Sequence, residues 1–165
     1  MHQQAYDFVV KAITGIDLRD KKVLEIGSQD VNGGVRKLFD ECRVYYGIDV
    51  INGRGVDEVV DARYYDGGET YDIVVSTEAM EHEESPYVIV DCARRALKHG
   101  GLFIVTAAGE GRAPHKADGT LGDPIENGEW YRNISKDHME SMLYYWRDVY
   151  IDVLGTDIRA TAVKL

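Results

Sequence analysis

The chain has 165 residues, with 29 acidic side chains against 19 basic ones and a formal charge of −10. That length builds one domain, residues 1–165, with its own core, and the acidic surplus argues against a sequence-independent grip on nucleic acid. A hydrophobic content of 44% beside 29% charged residues belongs to a folded globule rather than a disordered chain.

No run approaches the ~18 apolar residues of a membrane span. The start, Met1-His2-Gln3-Gln4-Ala5-Tyr6-Asp7, lacks the basic and apolar regions of a secretory leader. Cys42 and Cys92 sit in apolar-periodic segments and read as buried free thiols, so a reducing, cytoplasmic setting is the expectation.

Helical and strand-like runs alternate along the chain. Tyr6 to Ile16 carries apolar residues at helical spacing, the core of an opening helix within residues 1–20. Lys22–Ile26 is a short apolar strand ending at Gly27. Val35, Leu38 and Phe39 predict a brief helix after Gly33-Gly34. Val44–Val50 and the weaker Val56–Val60 read as strands two and three, and Tyr71–Ser76 as a buried fourth. Ser85-Pro86 has the cap-then-proline form of a helix start, and Gly100-Gly101 that of a helix end after His99. Leu102–Thr106 is a fifth strand. Residues 107–133 form a long polar stretch, expected to be a substrate-selecting lid together with the opening helix. Ser135 caps a helix through Met139, Met142 and Leu143 to Trp146. Val149–Leu154 and Arg159–Lys164 close the chain as a hairpin about a tight connection at Gly155–Asp157. This order predicts an α/β, three-layer sandwich. Its sheet is mostly parallel and seven-stranded, with one antiparallel strand from the C-terminal hairpin.

In open sheets of this kind ligands bind at the carboxyl ends of the strands. There the sequence places Glu25-Ile26-Gly27-Ser28-Gln29-Asp30, then Asp49-Val50, then Asp61-Ala62, then Thr77-Glu78-Ala79-Met80-Glu81-His82. In this order and spacing the chain, from Val23 to Leu165, resembles the class I S-adenosylmethionine-dependent methyltransferases. The similarity is to the small-molecule, type 11-like group, whose fourth strand is followed by a leucine-glutamate-histidine turn. The resemblance implies S-adenosylmethionine as cofactor and S-adenosylhomocysteine as product. It implies that Asp49 takes the ribose hydroxyls, that Asp61 takes the adenine amino group and the Ala62 N–H a ring nitrogen. Glu25, Thr77 and Glu78 would then meet the methionine end, with Gly27, Ser28, Gln29, Asp30 and Val50 lining the rest. Gly27 would let the backbone approach the cofactor closely. Three positions depart from the family's pattern: Met80 stands where leucine is commoner in that turn, and Gln29 and Val31 stand where the second and third loop glycines are usual, so the first loop takes a different path, with Asp30 or Asn32 turning it.

His82, just past strand four, and His115 in the long loop are the candidate general bases. Arg112 and Lys116 beside His115 could hold an anionic substrate or be solvated, and Trp130 and Tyr131 could form an aromatic cage or belong to the core. Glu78, Glu81, Glu83 and Glu84 cluster with His82, but neighbours on one turn do not converge of themselves, and no metal is expected. The reading is methyl transfer to an oxygen or nitrogen nucleophile of a small acceptor. Its alternatives are a non-catalytic S-adenosylmethionine-binding module and a nicotinamide-dependent oxidoreductase domain, the latter disfavoured because the glycine-rich helix start that holds a pyrophosphate is missing.

Overall fold

A computed structural model describes residues 3–118, 120–122, 124, 126 and 128–165. Residues 1 and 2 of the expected opening segment, and 119, 123, 125 and 127 of the expected lid, lie outside that description. Seven strands form one sheet in the order β3-β2-β1-β4-β5-β7-β6. They are β1 (Lys22–Ile26), β2 (Val44–Asp49), β3 (Glu58–Val59), β4 (Tyr71–Thr77), β5 (Leu97–Ala108), β6 (Arg147–Leu154) and β7 (Asp157–Val163). β7 runs antiparallel to both its neighbours, β5 and β6, and all other pairings are parallel. One reversed strand in a seven-stranded sheet is the predicted architecture.

Helices cover both faces. α1 (Gln3–Ile13) lays Ala5, Phe8 and Val9 on one face, where Phe8 and Val9 pack with Val23, Ile73, Val75 and Ile104. α2 (Tyr87–Ala96) and α3 (Lys136–Met142) cover the other, over Leu24, Val74, Phe103 and Val105. Alternate residues of β1 and β4 enter opposite cores because successive side chains of a strand point to opposite faces. Every central strand is thus apolar almost throughout, which is why the strands read so clearly from sequence.

Several boundaries move. α1 starts earlier than expected and stops at Ile13, because Gly15 turns the chain with φ +85°. Residues Arg36–Phe39 form a single 3-10 turn, not an α-helix. Ser85 does not cap α2: the residue before it is Pro86 without a side-chain bond, and the Ser85 N–H instead donates to Glu83 Oε1 at 3.0 Å. Nor do Gly100-Gly101 end that helix. Leu97 is already extended and pairs with Tyr71, and the two glycines bend β5 where its register against β4 shifts. A Cβ on Gly101 would come within 2.8 Å of Leu97 and 2.9 Å of the Lys98 carbonyl, so the glycine serves the kink. Ser135 does cap α3, accepting the His138 N–H at 3.2 Å. α3 ends at Met142, although Trp146 beyond it stays buried against Phe103, ring centroids 5.4 Å apart. Cys92 is buried as expected and Cys42 is half-buried; both are free thiols.

Candidate active site

A cavity of about 530 Å³ opens at the carboxyl ends of β1, β2, β3 and β4. The volume falls in the range of roughly 300–1,000 Å³ typical of small-molecule sites. Glu25, Gly27, Ser28, Gln29, Asp49, Val50, Asp61, Ala62, Thr77, Glu78, His82 and His115 all lie on its wall. Asp30 does not: its carboxylate faces away, accepting the Gly33 N–H at 2.8 Å and pairing with Arg54 at 3.0 Å. It turns the loop, as its side chain suits it to do, rather than lining the cavity.

The loop after β1 is held by main chain. Gly27 and Ser28 N–H both donate to the Ile48 carbonyl, at 2.9 and 3.1 Å, and the Asp30 N–H donates to the Arg54 carbonyl at 2.7 Å. Gly27 has φ +76°, and a Cβ there would lie 2.4 Å from Ala79 Cβ. Its glycine is therefore required by the crossing of two loops as well as by the approach to the cavity. Asp49 ties the loop to the end of β2: its Oδ2 accepts the Gln29 N–H and its Oδ1 the Ile51 N–H, both at 3.0 Å. Each oxygen keeps a lone pair for another donor. Asp61 is engaged by Arg63, through the backbone N–H at 2.8 Å and Nη1 at 2.7 Å, and Arg63 also pairs with Glu83. Arg95 fixes the same turn by donating to the carbonyls of Ala62, Arg63 and Tyr65.

Glu25 is 4% exposed. Burial pushes its carboxyl up to about 7, against the opposing pull of the Tyr45 hydroxyl, which donates to Oε2 at 2.7 Å. Burial also drives the Tyr45 hydroxyl far up, so it remains a donor. Sequence reasoning missed Tyr45. Its signal was register: Tyr45 pairs with Val23 and Gly47 with Glu25, which puts tyrosine and carboxylate on one face of adjacent strands.

Opposite, the turn after β4 is stiff. Glu78 has φ +55°, a left-handed backbone that a non-glycine residue adopts at a cost of about 1–2 kcal/mol. The Glu78 N–H donates to the Thr106 carbonyl at 2.9 Å, so this N–H is not open to a ligand. Its carboxylate accepts from Thr106 Oγ1 at 3.2 Å and pairs with Arg112 at 3.4 Å. Arg112 pairs with Asp157 as well. The guanidinium thus carries two ion pairs within the protein while lining the cavity. In the 3-10 turn Met80–His82, Glu81 is fully buried. Burial and the neighbouring Glu78 hold its carboxyl well above the usual carboxylate range. Burial, reinforced by His115, lowers His82 to about 4, so its imidazole is neutral at physiological pH.

Only part of the expected lid reaches the cavity. Residues 107 and 108 complete β5, Gly109 bridges to Ile134, and His115 bridges to Leu121 in a small hairpin. Arg112, Ala113, His115, Lys116, Ala117 and Leu121 reach the cavity wall. No described residue of α1 does, because its apolar face is spent on the sheet. Trp130 and Tyr131 are not on the wall either. Tyr131 instead packs edge-on against His82 and His115, with ring centroids 5.5 and 5.0 Å away.

Residues 2–105 match the family described as Methyltransferase domain. This chain belongs to that family. Among solved structures it is similar to the Burkholderia thailandensis 1,6-didemethyltoxoflavin-N1-methyltransferase crystallised with S-adenosylhomocysteine. The identity there is 16%, the TM-score 0.70, and the alignment covers 98% of this chain and 77% of that one. It is also similar to Haemonchus contortus phosphoethanolamine N-methyltransferase 2 in complex with S-adenosyl-L-methionine, at 15% identity and TM-score 0.69 over 98% of this chain and 52% of that one. The CurJ carbon methyltransferase aligns at 14% identity and TM-score 0.63, covering 94% and 51%. The methyltransferase domain thus spans about half the length of these last two enzymes. No match is found among curated proteins. Among the described residues no helix is long and apolar enough to cross a membrane. The loop after β1 leads into no α-helix, which removes the helix N-terminus that a nicotinamide dinucleotide would need.

Proposed function

We propose that this methyltransferase domain binds S-adenosylmethionine in the cavity at the strand ends and methylates a small acceptor entering from the 112–121 side. One observation carries the reading: Glu25, Asp49 and Asp61, from three adjacent strand ends, line a single open cavity rather than pointing apart. The residues present fit the cofactor. Asp49 and Asp61 retain acceptor capacity for ribose hydroxyls and an adenine amino group. Glu25 offers a carboxylate, backed by Tyr45, to an ammonium. Ser28 Oγ is buried on the wall with no partner of its own, a polar group that a bound ligand would satisfy.

When bound, the cofactor supplies a methyl group already activated by its sulfonium. What the protein adds is placement. The pinned loop after β1 and the stiff turn at Glu78 fix the two sides of the cavity before any ligand arrives. His82 on the wall is neutral at physiological pH, and the burial that lowers it to about 4 leaves it a weak base for an acceptor that must shed a proton. The acceptor atom is a separate matter: the structural relatives act at nitrogen and at carbon, so the fold does not choose between nucleophiles.

Calorimetry with S-adenosylhomocysteine tests the reading. Binding of one molecule per chain is expected, displaced by S-adenosylmethionine. A flat titration overturns it.

A further inference from the structure

Glu81, His82 and His115 each bring one ligand atom within 4.8 Å of the others, although His115 comes from a hairpin more than thirty residues downstream. Two polar atoms of this group are orphaned. Glu81 is fully buried; its Oε1 accepts the Ala108 N–H at 3.1 Å, but Oε2 has no partner, and neither does the buried Nδ1 of His82. An unpaired buried carboxylate oxygen is costly unless a proton or a cation meets it. The donors beside it point to a cation: two imidazoles from separate segments face the same spot, one of them with a buried ring nitrogen that has no partner.

We propose that Glu81, His82 and His115 form a binding site for a divalent transition-metal ion of the zinc type at the acceptor end of the cavity. Two imidazoles and one carboxylate suit zinc and its first-row neighbours better than magnesium or calcium, which prefer oxygen alone. Bonds of about 2.0–2.2 Å would hold such donors about 3.3 Å apart, against the spacing of up to 4.8 Å at which the three atoms stand here. The surrounding contacts are those of a ligating set. Tyr131 packs edge-on against both imidazoles, and the Ala113 carbonyl lies 3.4 Å from His115 Nδ1, a backbone contact that orients the ring. Three protein ligands leave coordination positions open, and both histidines lie on the cavity wall. An acceptor with an oxygen donor, such as a hydroxyl or carboxylate, would complete the shell. That role rests on the methyl-transfer reading; the ion site itself does not.

The test is calorimetric titration of the untagged, chelator-treated full chain with zinc chloride, repeated with cobalt chloride while following its visible absorption. One ion per chain is expected. His115→Ala and Glu81→Gln should each weaken binding by at least about 100-fold, and His99→Ala, remote from the cavity, should leave it within about twofold. Glu81→Gln keeps the acceptor for the Ala108 N–H, and thermal melting of each variant confirms its fold. Absence of saturable zinc binding, or binding unchanged in either His115→Ala or Glu81→Gln, overturns the site. S-adenosylhomocysteine titrated into the same preparations separates the two readings. Nucleoside binding without zinc ends the metal site alone, and zinc binding without the nucleoside ends the methyl-transfer reading alone.

Discussion

The two ends of the cavity are built from different materials. At the β1–β3 end, backbone does the holding: three main-chain bonds pin the loop after β1, and Gly27 sits where a side chain would collide with Ala79. At the other end, Glu78, Glu81, His82, Arg112 and His115 make a network of buried and half-buried polar side chains, some of whose atoms lack partners. A backbone-built wall tolerates many side chains and keeps one shape. A wall of polar side chains is sensitive to each residue and can be retuned by exchanging one. On the proposed reading the fixed wall would face the cofactor and the tunable wall the acceptor.

The contrast can be broken most severely at Gly27. Gly27→Ala forces a left-handed alanine against Ala79 Cβ and should lower folding stability by about 2–4 kcal/mol. Gly33→Ala, equally left-handed at φ +96° but with open space around it, should cost about 1 kcal/mol. Chemical denaturation measures both, and equal losses would show that the collision is not what matters. Next in size, Asp49→Ala removes the anchor of the loop and a charged acceptor together. Affinity for S-adenosylhomocysteine should fall by about 100-fold; a calorimetric change under threefold would refute the assignment.

A smaller effect concerns pH. With Glu25 raised to about 7 by burial, the free protein carries it protonated below that value, without charge to meet an ammonium. Affinity for S-adenosylhomocysteine should therefore fall by up to about tenfold per unit as pH drops below 7. Glu25→Gln should flatten the profile. Folding stability runs the other way: the contribution of this group is full below its ordinary value of 4.5 and is lost as pH rises through about 7. The smallest effect sharpens the contrast. His115→Ala should leave affinity for S-adenosylhomocysteine within about threefold, because the proposed reading puts the nucleoside against the other wall. A loss as large as that of Asp49→Ala would mean that the two ends are one site.

Much of the architecture was legible because the central strands are buried on both faces and therefore nearly continuous in apolar residues. Local chemistry misled where tertiary contacts competed with it. Ser85-Pro86 has the form of a cap, but the helix begins one residue later, after Pro86, and no side chain caps it. Gly100-Gly101 has the form of a helix stop, but the strand needed the bend. Asp30 was expected both to line the cavity and to turn the loop, and its side chain does only the second.

The sequence by itself determined the order of elements, the single reversed strand and the row of carboxylates at the strand ends. These follow from hydrophobic period and from position along a strand, both local properties. Only the tertiary structure decided that Tyr45 backs Glu25, that Arg112 pairs with Glu78 and Asp157, and that His115 meets Glu81 and His82. Those meetings join segments far apart in the chain, and their partners are chosen by how the strands register and how one hairpin folds back, which no local pattern encodes.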